Sequence, residues 1–245
     1  MNDDKSLIKC CCCKIVCAKC GDRDAQPGAP CSLCGAPTAK SDAEALALLQ
    51  AHVEKGVPTA ILYLGTCYES GWLGLERSRD ESFKLFERCA GLEDDDDASV
   101  AASYFLGCAY GQGHGAPLDK GKMVECFLRA ADRGFSRAQT NLGECYRLGD
   151  GVTRDDAEAV RYYRLAVDSG DAVAMCNLAG MHVTGRVVDG GDAASQMAAA
   201  LELLDASAAL GYAKATAAIA FLRSGAPEGA EAGGAAPGVA ADAVD

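Results

Sequence analysis

Eight of the fourteen cysteines fall between Cys10 and Cys34. Cys17-Ala-Lys-Cys20-Gly and Cys31-Ser-Leu-Cys34-Gly form two Cys-x-x-Cys-Gly pairs joined by ten residues, a spacing that sets four thiolates around one tetrahedral Zn2+. Gly after the second Cys of each pair permits the tight turn that aims backbone N–H groups at sulfur, and Pro27, Gly28 and Pro30 suit the connecting loop. Cys10 and Cys13, in the run Cys10-Cys11-Cys12-Cys13, offer ligands for a second site. Structural Zn2+ is the cofactor that this cluster predicts.

Other reactive residue types give no constellation. The stretch Gly111-Gln-Gly-His-Gly115 has a phosphate-loop composition, but no strand pattern precedes it and it falls where a helical repeat demands glycines. His52, His114 and His182 are the only histidines, and each lies in a separate unit without a nucleophile pattern around it. No catalytic residue is assigned. Glu93 to Asp97 reads as a solvated acidic loop or a docking patch for a basic partner. Trp72 reads as an aromatic packed between repeats. The six remaining cysteines, Cys67, Cys89, Cys108, Cys126, Cys145 and Cys176, read as small buried apolar side chains.

The elements that hold these residues repeat. Leu64-Gly65, Leu106-Gly107, Leu142-Gly143 and Leu178-Ala179 are 42, 36 and 36 residues apart, and Tyr68, Tyr110, Tyr146 and His182 keep the same intervals. Gly71, Gly113, Gly149 and Gly185 do so as well. Phe86, Phe127 and Tyr163 mark the second half of each unit, with Gly134 and Gly170 closing two of them. Each unit is predicted to be a helical hairpin. Helix A carries Ala, Leu-Gly and Tyr at helical spacing on one face and ends at the repeated Gly. The Gly of Leu-Gly costs about 1 kcal/mol in an isolated helix, which predicts a neighbouring helix packed against bare backbone. Helix B begins near Asp80, Asp119 or Asp155, whose carboxylates can cap unpaired N–H groups. Ser41-Asp42-Ala43-Glu44 starts a further helix ending at Gly56, eight residues before Leu64, as Gly134 precedes Leu142. It is a half repeat that caps the N-terminal end.

The pattern Ala-x-x-x-Leu-Gly-x-x-Tyr-x-x-Gly, then Gly-Val-x-x-Asp, then aromatic-x-x-Ala-x-x-x-Gly closely resembles the Sel-1-like repeat, a relative of the tetratricopeptide repeat. Ala138 to Gly170 matches best, with Gly151-Val152, Asp155 and Tyr162-Tyr163 at motif positions. The resemblance implies an all-α fold, a right-handed α-α solenoid over residues 58–223 of about four repeats plus a C-terminal capping helix, Ala213 to Arg223; the helix at 41–57 caps its N-terminal end, and the cysteine spacing marks 1–40 as a zinc module. Residues 224–245 hold Ala, Gly, Pro and acid with no large side chain except Val, the composition of a disordered tail. The run CCCCKIVCAKC followed by CSLC also resembles the later part of a RING-type zinc finger, without a Cys pair upstream of Cys10 and without a His in the first fifty residues. A secreted branch of the Sel-1-like family ties helices A and B by disulfides; the six repeat cysteines do not share one offset.

At 49% hydrophobic and 24% charged, the 245-residue chain has the balance of a soluble globular protein. A net charge of −12 argues against nucleic acid and anionic membrane as partners. The polar start MNDDKSLIK lacks a signal-peptide core, and no stretch of membrane-spanning length is free of charges or helix breakers. A cytoplasmic scaffold that binds a protein or peptide follows as the expected function. The alternative, implied by the RING resemblance, is a ubiquitin-protein ligase that recruits a ubiquitin-conjugating enzyme. On helix A of the third repeat, Arg137, Thr140, Glu144 and Arg147 are assigned to a face pointing away from the core, with Tyr104 at the corresponding register of the second. That face is the expected partner-binding surface.

Overall fold

The computed structural model describes residues 8–9, 14–15, 39, 41–92, 96–187 and 191–224. Ile8–Lys9 (β1) and Lys14–Ile15 (β2) pair antiparallel, with Ile8 opposite Ile15 and Lys9 opposite Lys14. Every other regular element among the described residues is helical. The all-α assignment holds. No helix among the described residues is long and apolar enough to cross a membrane. The chain divides into two compact units, the first reaching to Leu118 and the second beginning at Asp119.

The first unit contains α1 (Asp42–Glu54), α2 (Pro58–Ser70), α3 (Arg79–Ala90) and α4 (Asp97–Gln112). Helix α2 packs on α1, α3 and α4, and α3 packs on α4. Leu49, Ile61, Cys67 and Cys89 are fully buried at the centre. The Phe86 ring stacks on Phe105 with centroids 4.9 Å apart. Helix starts follow capping chemistry: Ser41 Oγ accepts from the Glu44 N–H, and Pro58 opens α2 where an N–H would have no helical partner.

Two expectations about acids are corrected here. Helix α3 is capped by Ser78, whose Oγ accepts from the Glu81 N–H at 3.4 Å, and Asp80 sits inside the first turn. Of the acidic run, Glu93 to Asp95 lie outside the described residues, while Asp96 and Asp97 start a helix instead of standing in a loop. Asp96 Oδ1 accepts from the Ser99 N–H at 2.8 Å as the cap of α4, and Asp97 is its first residue. Both acids lie at the positive end of the helix, where carboxylates stabilise it. Trp72 packs against Tyr63 of the same repeat, centroids 6.5 Å apart.

The second unit contains α5 (Lys120–Ala131), α6 (Ser136–Leu148), α7 (Asp156–Asp168), α8 (Ala172–Val183), α9 (Ala193–Ala209) and α10 (Ala213–Ser224). Each packs on the next. Asp119, Asp155 and Asp192 cap the B helices α5, α7 and α9, as the carboxylate pattern requires.

Counting from the cap unifies the B helices. Eight residues after Ser41, Ser78, Asp119, Asp155 and Asp192 stand Leu49, Phe86, Phe127, Tyr163 and Ala200, and all five are buried. Helix α1 is therefore helix B of a repeat whose helix A is absent from the described residues. The Leu-Gly glycines meet these side chains. A Cβ built on Gly65 would lie 2.6 Å from the Phe86 ring, and one on Gly143 would lie 2.6 Å from the Tyr163 ring. The glycine therefore admits an aromatic ring of the neighbouring helix against its bare backbone, as expected. In the fourth repeat both partners change together: Ala179 replaces the glycine, Ala200 replaces the ring, and the two share one core cluster.

The glycine of Gly-Val-x-x-Asp has a different task. Gly115 and Gly151 have φ of 72° and 77°, and a Cβ on either would come 2.4 Å from a backbone carbonyl, that of Arg79 or Lys120. Those carbonyls open the B helix of the preceding repeat, so no side chain fits between consecutive repeats there. At the C-terminal end, Gly211 precedes Ile219 by eight residues, as Gly170 precedes Leu178. Helix α10 is thus helix A of a fifth, half-formed repeat, packed through Ala215 and Ile219.

Candidate functional site

The residue just before the leucine of each A helix lies at the edge of the core. These residues are Tyr63, Phe105, Asn141 and Asn177, and all four are half-buried. In the second unit Asn141 and Asn177 occupy one register position 36 residues apart. Neither side-chain amide is engaged by another described residue. Arg137, one turn before Asn141 on α6, is exposed. Arg137, Asn141 and Leu148, at offsets of four and eleven, form the uncovered stripe of that helix, and Glu144, at an offset of seven, is turned to α7. On α8 the corresponding stripe runs through Val173, Asn177, Gly180 and Thr184. In the first unit the corresponding positions are aromatic and engaged, Tyr63 with Trp72 and Phe105 between Phe86 and Tyr104.

The assigned binding residues divide. Arg137 is exposed, as expected. Thr140 is buried at 5% exposure and Tyr104 at 7%, so neither presents to solvent. An A helix is covered on two sides, by its own B helix and by the neighbouring repeat, and both residues lie within that wider buried arc. Glu144 and Arg147 are half-buried and joined to each other: Arg147 Nε donates to Glu144 Oε2 at 2.7 Å. Tyr163 Oη donates to the same oxygen at 2.8 Å. Burial pushes the Glu144 carboxyl up, and the hydrogen bonds from Arg147 and Tyr163 outweigh it, leaving the group below its ordinary range. Burial, with the Glu144 charge adding to it, holds the Tyr163 phenol protonated. This trio clamps α6 to α7.

A second ion pair ties the fourth repeat to the third. Arg186 Nε donates to Asp156 Oδ2 at 2.8 Å, and its Nη2 donates to the Arg147 carbonyl at 3.2 Å. The Arg186 hydrogen bond, with Arg154 beside it, holds the Asp156 carboxyl at about 2. Two of the three histidines have local partners. His52 Nδ1 lies 2.8 Å from the Leu48 carbonyl, and His182 Nδ1 lies 2.5 Å from Gln196 Oε1. Cys67, Cys89, Cys108 and Cys145 are buried thiols, Cys126 and Cys176 are half-buried, and none of the six is in a disulfide. Burial pushes the Cys89 thiol up to about 11. Among the described residues no group of three His, Cys, Asp or Glu converges as a metal site. Cys10, Cys13, Cys17, Cys20, Cys31 and Cys34 lie outside the described residues, and so does any ubiquitin-conjugating-enzyme contact built on them.

The repeat geometry decides the family. A family model described as Sel1 repeat matches residues 58–92, 100–135, 136–171 and 172–212. The chain belongs to the Sel1 repeat family. Its fold is similar to the crystal structure of a Sel1 repeat protein from Oxalobacter formigenes, at 25% identity, 73% coverage of this chain, 68% of that one and a TM-score of 0.63. A protective antigen of uropathogenic Escherichia coli strains that displays an SLR fold aligns at 24% identity, 77% of this chain, 46% of that chain and a TM-score of 0.47. No curated protein matches. The four Sel1 repeats take in α2 and α3, α4 and α5, α6 and α7, and α8 and α9. Sequence reasoning missed Asn141 and Asn177 within them. The signal was present as Ala138-x-x-Asn141-Leu142 and Ala174-x-x-Asn177-Leu178, one polar residue recurring beside the core leucine.

Proposed function

We propose that the chain is a protein-binding scaffold in the cytoplasm, whose Sel1 repeats take an extended peptide along the uncovered stripe of the A helices. The observation that carries this reading is the recurrence of Asn141 and Asn177, two half-buried and unengaged carboxamides at one register position. Each carboxamide offers a donor and an acceptor side by side, the complement of a peptide group. Arg137 adds a planar cation for a carboxylate at one end. Random-peptide display against the immobilised full chain tests it. Selected peptides are expected to lose about tenfold in affinity toward the Asn141→Ala, Asn177→Ala double variant, since two neutral hydrogen bonds are worth roughly 1–3 kcal/mol together. The melting temperature should stay the same. Undiminished binding would remove this face, and a library that yields no binder would remove the peptide reading.

The N-terminal cysteines are proposed to hold structural Zn2+ through Cys17, Cys20, Cys31 and Cys34, with Cys10 and Cys13 as ligands of a second ion. Support comes from the paired spacing and from the β1–β2 pairing that brackets Cys10 and Cys13 in sequence. Elemental analysis of the reduced full chain should find zinc, and Cys17→Ser with Cys20→Ser should remove one equivalent. Zinc-free wild-type protein would end this proposal.

A further inference from the structure

Consecutive repeats meet through one recurring joint. Trp72, His114, Asp150 and Arg186 follow Gly71, Gly113, Gly149 and Gly185, all four glycines having positive φ. The N–H of each donates to the carbonyl five residues back, that of Cys67, Ala109, Cys145 or Met181, at 2.9–3.0 Å. The four residues therefore share one backbone geometry. Trp72 turns to Tyr63. The next positions meet the first residue of the B helix in the preceding repeat. Asp150 Oδ2 accepts from Lys120 Nζ at 2.9 Å, and Arg186 Nε donates to Asp156 Oδ2 at 2.8 Å. Lys120 and Asp156 each stand one residue after a cap, as Arg79 stands one residue after Ser78. A Cβ on Gly115 or Gly151 would come 2.4 Å from the carbonyl of Arg79 or Lys120, so the loop after the A helix rests on the same residue in both joints. That register sets His114 beside Arg79. Two joints pair opposite charges, and the joint of the first and second repeats sets an imidazole against a guanidinium.

We infer that the joint between the first and second repeats loosens on acidification, because protonation of His114 sets two cations against each other where the next two joints hold opposite charges. The whole joint lies within the first unit. Arg77 and Arg79 share one carboxylate, Glu69 of α2, each at 3.9 Å. The cluster thus holds one more positive charge than it pairs before His114 gains a proton. Asp80 and Glu81, in the first turn of α3, act on Lys84. Burial and Arg79, with Arg77 adding to them, outweigh Glu69 and hold the His114 imidazole below its ordinary value. A histidine disfavoured as a cation in the folded chain contributes stability that is whole above its unfolded-chain value. That stability is lost as the pH falls from there toward the lower folded-state value. The rings of Phe83 on α3 and Tyr110 on α4 meet edge to face across this joint, centroids 5.4 Å apart, so loosening it uncovers aromatic surface.

Amide hydrogen exchange of the reduced full chain tests this, read on peptides covering 79–83 and 110–118 at about pH 8 and about pH 5, with exchange times scaled for the intrinsic rate. Roughly 0.01 M salt keeps exposed charges least screened. Wild-type protein is expected to exchange there about twofold to fivefold faster at the acid pH, the scale of one exposed charge contact. Peptides covering 149–152 should keep their rate, because neither Lys120 nor Asp150 changes charge in that window. His114→Asp gives Arg79 the partner that Lys120 has in Asp150, and it should remove the acid response. His114→Lys, a permanent cation, should show the fast rate at both pH values. Should either variant misfold, the neutral His114→Gln should remove the response as well. A wild-type joint whose exchange is the same at both pH values overturns the inference. An acid response that persists in His114→Asp overturns it too, since the titrating group would then lie elsewhere.

Discussion

Replacing Tyr163 with Ala is expected to cost roughly 3–5 kcal/mol of folding stability, the range for truncating a large buried aromatic. Tyr163 is fully buried, stands eight residues after its helix cap and fills the space above Gly143. Its loss leaves a cavity with little to collapse into it, since the facing residue has no side chain. It also removes the phenol that donates to Glu144. Tyr163→Phe separates the two effects: the ring remains, the Arg147 fork still serves Glu144, and a loss of about 1 kcal/mol is expected. Urea denaturation of the two variants checks the ratio. Equal losses would mean that the hydroxyl, not the ring, holds the repeat together.

Gly143→Ala should destabilise by about 1–3 kcal/mol even though alanine is the better helix former, because an added Cβ lies 2.6 Å from the Tyr163 ring. Gly180→Ala, two helices away in the same unit, should do the opposite. Nothing lies within 4 Å of a Cβ at Gly180, and its φ is not positive. There the helix preference acts alone and a gain of about 0.5–1 kcal/mol is expected. Combining Gly143→Ala with Tyr163→Ala reproduces the Ala179 and Ala200 pairing of the fourth repeat. The double variant should therefore be less destabilised than the sum of the singles, and strict additivity in a double-mutant cycle would show that ring and glycine do not interact.

Much of the fold was legible because one register recurs. The spacing of Leu64, Leu106, Leu142 and Leu178 set the A helices, and the eight residues from Gly56 to Leu64 exposed the half repeat at α1. Ala213 to Arg223 was legible as a capping helix, while its A register, carried by the eight residues from Gly211 to Ile219, was hidden because Tyr gives way to Arg223. Aligning Asp80 with Asp119 and Asp155 placed the first cap two residues late. The first loop is longer, turning through Leu73 at a φ of 57°, and a serine serves where the other repeats use a carboxylate. Thr140 and Tyr104 were assigned to a free face because their offsets were taken from one helix alone. Burial in a repeat array is set by two neighbours, and single-helix periodicity contains only one of them. The partnership of Glu144 with Tyr163 was out of reach for the same reason: nineteen residues separate them in sequence, and only the closed hairpin brings them together.

The repeat cysteines have a practical consequence. Cys67 and Cys89 lie in the first Sel1 repeat, Cys108 and Cys126 in the second, Cys145 in the third and Cys176 in the fourth. Most are buried, so a bulky thiol reagent can reach them only when the surrounding helices part. Alkylation followed by peptide mapping would then report an opening rate for each repeat in unmodified protein, with Cys145 beside the Gly143 and Tyr163 packing pair as the slowest clock of the set. In a quasi-linear array those rates measure how far cooperativity reaches from one repeat to the next.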